Sequence, residues 1–281
     1  MTILDGKELS QKVKKEVKQE VEQIKKKGII PGLAVILVGS DPASKIYVTS
    51  KEKACIEAGI YSEKVTMNED ATQERILNKI DKLNKDENIH GILVQLPLPS
   101  HMDKNVVLQA INPKKDVDGF HALNVGNLCL GNNSLIPCTP LGIMRILEEY
   151  EIEVEGKDVC VIGASNIVGK PLASLLTNKE ATVTLCHIKT KDLTVYTKNA
   201  DIIIVATGVP NLLKEDMVKD GVIVIDVGIN RLENGKIVGD VDFENVSKKC
   251  SYITPVPGGV GPMTIAMLLQ NTLQAAKMSE V

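Results

Sequence analysis

Two short runs with almost no polar side chains, "LAVILVG" at 33–39 and "GILVQLP" at 91–97, constrain this chain more than any other feature. Apolar runs of that length, rich in Val, Ile and Leu and punctuated by Gly and Pro, read as strands covered on both faces. What lies around them is helical. Leu9, Val13, Val17, Val21 and Ile24 trace one helix stripe that stops at Gly28. Asp41 and Pro42 supply an N-cap and a first-turn proline for a helix running to Gly59. A short strand at 63–67 and a helix at 72–85 complete a β-α-β-α-β order, which predicts a mostly parallel sheet covered by helices.

Near 120–140 the pattern breaks into "DGFHALNVGNLCLGNN", read as Gly- and Asn-rich loops. Thr139-Pro140 then opens a helix through Tyr150, and a second alternation follows. Strands are predicted at 158–163, 181–186, 201–206 and 222–227, with helices at 167–178 and 191–199 and a terminal helix at 262–278. This half reads as a nucleotide-binding α/β domain. At 281 residues the chain has the length for two domains, each with its own core. Net charge of −3 suggests no nucleic-acid partner, and no apolar run is long enough to span a membrane. Six scattered cysteines without a C-x-x-C predict reduced thiols, a cytoplasmic setting and no metal site.

The segment "DVCVIGASNIVGKP" at 158–171 is a strand, a glycine turn and a helix start, the context of a dinucleotide pyrophosphate site. Its spacing is irregular: Ser165 stands where a second glycine is usual, and Gly169 comes one residue late. A tight structural turn is the alternative. The strand "ATVTLC" should end at the adenosine ribose, where an NAD site usually presents Asp or Glu. Here the chain reads His187, Ile188, Lys189, Thr190, Lys191, so the lysines are candidates for a 2′-phosphate.

In the first half, Tyr47 and Lys51 share one face of the expected helix. Taken singly they read as a packing tyrosine and a solvated lysine. Gln95, however, stands at the carboxyl end of a buried strand, where α/β sheets place their sites. Asp116 and Asp118 occupy a glycine-containing loop; either is an Asx-turn residue or a carboxylate that accepts hydrogen bonds from an amino-heterocycle. "TPVPGGVGPMT" at 254–264 holds three prolines and three glycines and suits close backbone approach to a flat ligand.

Taken together, "YVTSKEKAC", "GILVQLPLP", "KDVDGFH", "PCTPLGI", "GASNIVGKP" and "ITPVPGGVGPMT" resemble the bifunctional methylenetetrahydrofolate dehydrogenase/methenyltetrahydrofolate cyclohydrolase family (the FolD family), in order and over essentially the whole chain. The resemblance implies an α/β fold of two domains with a cleft between them. One is an N-terminal α/β folate-binding catalytic domain, 1–138, completed by a terminal helix at 265–281. The other is a Rossmann-type NADP-binding domain, 139–264. It implies a homodimer assembled through the nucleotide-binding domain and a place in one-carbon metabolism. Carried over, Lys51 is the catalytic lysine, Gln95 its hydrogen-bonding partner, Tyr47 a stacking platform for the folate ring and Asp118 the ligand of the pterin edge. Pro255, Pro257, Gly258 and Gly259 contact substrate; Gly163, Ala164, Ser165, Ile188 and Ile229 contact NADP. Relatives carry Arg at the position of Ala164, or Ser or Arg at that of Ile188, and this chain has neither. Two competing readings are a short-chain dehydrogenase, since Ser44, Tyr47 and Lys51 mimic its S…Y-x-x-x-K set, and a folate- or nucleotide-binding protein without turnover. The first is disfavoured because the glycine loop follows that set by more than 100 residues.

Overall fold

The computed structural model describes residues 1–279. It opens with a two-residue strand, β1 (Thr2–Ile3), and helix α1 (Gly6–Lys25). The expected stripe of α1, Leu9 to Ile24, is buried throughout. Strand β2 (Gly32–Val38) leads to α2 (Pro42–Ala58), β3 (Tyr61–Met67), α3 (Gln73–Lys85) and β4 (Gly91–Val94). All seven residues of β2 are buried, because it is the middle strand of a parallel sheet ordered β3-β2-β4. One face of β2, Ala34, Ile36 and Val38, packs on Ile76, Ile80 and Leu83, the last three from α3. Since β3 and β4 flank β2 on opposite sides, the strand order reverses between β2 and β4. Sites in such sheets lie at the carboxyl ends next to that reversal.

Two short helices follow, α4 (Lys104–Gln109) and α5 (Ala122–Cys129). The second corrects the sequence reading, which made this stretch loop. Asn124 and Leu128, one turn apart, are buried, and the Asp116 carboxylate accepts from His121 N at 2.8 Å and Asn124 Nδ2 at 2.9 Å at the helix start. The glycines and asparagines hid a helix whose N-terminus is fixed by a distant carboxylate. The strand expected at 91–97 also ends early, at Val94; the Leu96–Pro97 bond is cis.

Helix α6 (Cys138–Glu149) precedes the second alternation: β5 (Asp158–Ile162), α7 (Gly169–Thr177), β6 (Thr182–Cys186), α8 (Thr194–Thr197), β7 (Ile202–Val205) and β8 (Val222–Asp226). The helix expected at 191–199 shrinks to the four residues of α8. Elements unforeseen in the sequence are β1, α4, a hairpin of β9 (Asn230–Arg231) and β10 (Ile237–Val238), the short α9 (Phe243–Val246) and β11 (Cys250–Ile253). The chain ends in α10 (Val260–Met278). Six strands form one sheet, β1-β11-β8-β7-β5-β6, with every pairing parallel. Its strand order reverses between β5 and β7.

The chain divides into two compact units. One comprises residues 12–127, 133–138 and the stretch from Ile265 onward; the other comprises 1–11, 128–132 and 139–264. Residues 1–11 join the six-stranded unit because β1 pairs with β11, Thr2 opposite Tyr252 and Ile3 opposite Ile253. Residues 280 and 281 of the expected terminal segment lie outside the described residues.

Candidate active site

In the three-stranded unit, α2 is set by its caps. Asp41 accepts from Ser44 N at 2.7 Å, Pro42 takes the first turn, and Gly59 ends the helix at φ 77°. Ser44, Val48 and Cys55 face the interior, which fixes the helix rotation. Tyr47, 46% exposed, and the partly buried Lys51 then lie one turn apart. Lys51 Nζ donates to Gln95 Oε1 at 2.9 Å, and Gln95 Nε2 donates to Leu96 O at 2.7 Å. Gln95 directly follows β4, beside the strand-order reversal. An amide held at both ends presents its oxygen to the ammonium without adding charge.

Asp116 and Asp118 divide the two roles left open by the sequence. Asp116 is 1% exposed and turned inward to the start of α5, so it is the structural carboxylate. Among the described residues, Asp118 accepts only the long contact from Cys138 Sγ at 3.9 Å. Burial pushes the Asp118 carboxyl up to about 6; Asp116 adds to the rise, while Lys51 and Cys138 oppose it. Lys51 is thus the cation whose field reaches Asp118. Sequence reasoning missed the support of this loop. Asn271 of α10, wholly buried, donates to Val117 O and Ile136 O, each at 2.8 Å, and lies 3.7 Å from Cys138 Sγ. A lone Asn in the apolar stripe of a terminal helix was the available signal.

In the six-stranded unit, Gly163, Ala164, Ser165 and Ile188 line one cavity of about 490 Å³ together with His187 and Thr207. It opens at the carboxyl ends of β5, β6 and β7, where the strand order reverses. The irregular glycine spacing has a steric reason. Gly163 sits at φ 116°, and a Cβ there would meet Ala206 O at 2.1 Å; a Cβ on Gly169 would meet Gly163 O at 1.7 Å. The two glycines therefore let β5, the turn after β7 and the start of α7 close together, the packing job of glycines in dinucleotide turns. Ser165 Oγ accepts from Val168 N at 3.1 Å, which keeps its own proton free to donate. No Asp or Glu lines the cavity. Ile188 is 97% exposed. Of the candidate lysines, Lys170 Nζ donates to Asn166 Oδ1 at 2.8 Å, while Lys189 and Lys191 flank the turn after β6.

Ile229 is not among the lining residues of this cavity; it lies instead against Gly261, where an added Cβ would meet Ile229 Cδ1 at 3.1 Å. The loop with Pro255, Pro257, Gly258 and Gly259 is anchored to the N-terminus of α1, since Lys7 N donates to Gly258 O at 2.8 Å. All six cysteines are free thiols; Cys160 and Cys186 lie Sγ to Sγ at 3.9 Å. Among the described residues, no cluster of three or more His, Cys, Asp or Glu side chains could hold a metal ion, and no helix is long and apolar enough to cross a membrane.

Fold and site define an α/β protein of two units, one with a dinucleotide-type cavity and one with a lysine, an amide and a carboxylate grouped at a sheet's carboxyl end. The sequence profile of the tetrahydrofolate dehydrogenase/cyclohydrolase catalytic domain matches residues 4–118, and that of the NAD(P)-binding domain of the same name matches 137–280. The bifunctional protein FolD of Nautilia profundicola is 64% identical over 99% of this chain and 98% of its own. The crystal structure of bifunctional FolD from Campylobacter jejuni has a TM-score of 0.98 at 63% identity and covers 99% of both chains. The Trypanosoma brucei methylenetetrahydrofolate dehydrogenase-cyclohydrolase, solved with NADP cofactor and an inhibitor, has a TM-score of 0.95 at 39% identity, covering all of this chain and 98% of that one. The chain belongs to the tetrahydrofolate dehydrogenase/cyclohydrolase family. The short-chain dehydrogenase reading falls with the fold, because Tyr47 and Lys51 lie in one unit and the glycine turn at 163–169 in the other.

Proposed function

We infer that this protein oxidises 5,10-methylenetetrahydrofolate to 5,10-methenyltetrahydrofolate with NADP, and hydrolyses the product to 10-formyltetrahydrofolate. The observation that carries the reading is the bond between Lys51 and Gln95, made within the electrostatic reach of Asp118. In the substrate, one carbon bridges two nitrogens. Lone-pair donation from nitrogen expels hydride and leaves a delocalised amidinium, a step that needs alignment more than an acid or base. NADP, when bound, accepts that hydride. Hydrolysis is different: water must lose a proton, the tetrahedral adduct must be stabilised and a ring nitrogen must be protonated. Lys51 is assigned to those proton transfers and Gln95 to holding its Nζ in place. Tyr47 is assigned to stacking on the folate ring, and Asp118 to the donor edge of the pterin through charge-assisted hydrogen bonds. Pro255, Pro257, Gly258 and Gly259 are assigned to substrate contact on family resemblance.

NADP suits the six-stranded unit. The cavity lies at a strand-order reversal, its glycine turn leaves no room for a Cβ, and its lining lacks a carboxylate that would repel a 2′-phosphate. Gly163, Ala164, Ser165, Ile188 and Ile229 are proposed to contact it, with Lys189 and Lys191 as point charges for the phosphate. The working form is proposed to be a homodimer joined through this unit and located in the cytoplasm. In support, β6 is an edge strand, Val195 and Tyr196 beside it are exposed, and the cysteines are unpaired. Two assays test the function. NADPH should appear when the protein meets methylenetetrahydrofolate and NADP, and methenyltetrahydrofolate should decay faster with protein than without. Tight folate binding with neither conversion would favour a non-catalytic binding protein.

A further inference from the structure

Two buried carboxylates in the six-stranded unit, Asp226 and Asp240, take no part in the chemistry above. Asp226 ends β8 and is 3% exposed; Asp240 follows β10 and is fully buried. Asp226 accepts from Gly228 N at 2.9 Å, from Asp240 N at 3.0 Å and from Val241 N at 2.9 Å. It therefore fixes the backbone that carries Asp240. Asp240 in turn accepts at Oδ2 from Thr207 N at 2.6 Å, Thr207 Oγ1 at 2.9 Å and Gly208 N at 2.9 Å, and at Oδ1 from Asn230 Nδ2 at 2.8 Å. The fit is close. A Cβ on Gly228 would meet Asp240 Oδ1 at 2.1 Å, and one on Gly239 would meet Asp226 Oδ2 at 1.8 Å.

The partners of Asp240 are informative. Thr207 lines the dinucleotide cavity in the turn after β7. Asn230 and Gly228 flank Ile229, the other candidate cofactor contact. One carboxylate thus ties together the turns after β7 and β8, on the far side of the strand-order reversal from β6. The two carboxylates satisfy five backbone N–H groups, those of Gly228, Asp240, Val241, Thr207 and Gly208, so an apolar side chain at either position would leave the turns without their acceptor. Burial pushes the Asp226 carboxyl up to about 6 despite its three backbone donors, with the charge of Asp240 adding to the rise.

We propose that Asp240 is a positioning residue for the dinucleotide: its buried carboxylate, seated by Asp226, holds the turns bearing Thr207 and Ile229 and so preorganises the half of the dinucleotide site away from the adenosine ribose. The inference rests on the NADP reading of this unit. It goes beyond that reading in separating the two halves of the ligand. The adenosine half meets the turns after β5 and β6, which Asp240 does not touch; the other half meets the turns that Asp240 holds.

The test is calorimetric titration of the full-length protein with NADP and, separately, with 2′,5′-ADP, which carries only the adenosine half. Asp240→Asn keeps the shape but turns one acceptor into a donor facing N–H groups. It should raise the Kd for NADP by about tenfold or more, the scale of one charge-assisted hydrogen bond, and leave that for 2′,5′-ADP unchanged. Asn230→Ala removes a single bond and leaves the clamp otherwise intact, so it keeps the test sound if Asp240→Asn fails to fold; a smaller loss, confined to NADP, is expected. Unchanged NADP affinity in both variants, or equal loss of both ligands in Asn230→Ala, would overturn the assignment. Wild-type protein that bound neither ligand would overturn the cofactor reading beneath it.

Discussion

Lys51 and Asp118 show how much one neighbour changes the chemistry of a side chain. A helix lysine one turn from an exposed tyrosine is ordinary until Gln95 receives its Nζ at 2.9 Å. Lys51→Met should nearly abolish hydrolysis of methenyltetrahydrofolate while folate binding stays largely intact, because only the hydrolytic step requires proton transfer. Substantial hydrolysis by the variant, followed by loss of methenyl absorbance, would remove Lys51 from that role. Asp118 carries a trade-off. Its folded-state pKa of about 6 lies above the ordinary carboxylate value, so the fold holds this proton more tightly than the unfolded chain does. Stability drawn from this group is complete below about pH 4 and falls as the pH rises through 6. Asp118→Asn escapes that loss. Without ligand it should match wild type near pH 4 and exceed it at pH 7 by on the order of 2 kcal/mol, discounted for partial exposure. Urea unfolding across the pH range measures this, and a constant difference would show that the carboxyl is not raised. The same variant should bind folate more weakly by about 1.5–3 kcal/mol, one charge-assisted hydrogen bond. At position 188 the missing cation makes a separate prediction. Ile188→Arg should shift the ratio of kcat/KM for NADP over NAD upward, more at low salt than at high, since Arg grips phosphate as a planar fork.

At the scale of elements, the legible parts were those governed by local chemistry. Asp41, Pro42 and Gly59 delimit α2 in the sequence and in the fold, because caps and turn glycines act within a few residues. Helix α5 was not legible. Its start is fixed by Asp116, which is also bridged to Ile92 of β4, and that relation is made in three dimensions. For the same reason "DVD" did not reveal which aspartate was structural. The spacing of the glycine turn was legible as irregular, yet its cause is the approach of Ala206, more than 40 residues away. Asn271 gives the prediction proper to this scale. From α10 it satisfies Val117 O and Ile136 O on two segments that bracket Asp118 and Cys138. Asn271→Leu strands Ile136 O and leaves Val117 O with only the weak Cys138 Sγ donor at 3.4 Å, so it should destabilise the protein by about 1–3 kcal/mol, the scale of one stranded group. Folate affinity should fall with it while NADP affinity holds, since Asn271 belongs to the three-stranded unit. Equal loss of both affinities would mean that the residue serves general folding alone.

The whole molecule is threaded discontinuously, and this limits how it can be cut. The six-stranded unit keeps five of its six strands within 139–264 and takes only β1 from elsewhere. The three-stranded unit instead draws its last helix from beyond residue 264, with Met267, Leu268, Leu269, Leu273 and Ala276 all buried. The four larger side chains, at about 1.5–3 kcal/mol of burial each, together match the net stability of a typical small domain. A fragment of residues 1–138 should therefore lack a cooperative urea transition and bind a hydrophobic dye such as ANS, as loosely packed states do. A fragment of residues 139–264 should unfold cooperatively, because five of the six strands are inside it, and still bind 2′,5′-ADP, because the turns after β5 and β6 are inside it too. The fragments differ in what they lose: residues 1–11 and 128–132, which bring only the two-residue edge strand β1 to the sheet, in one case, and a helix with five buried side chains in the other. A sharp transition in 1–138, without dye binding, would mean that the three-stranded sheet with α1 to α5 is sufficient alone, and that α10 adds stability to a unit already specified by the first half of the chain.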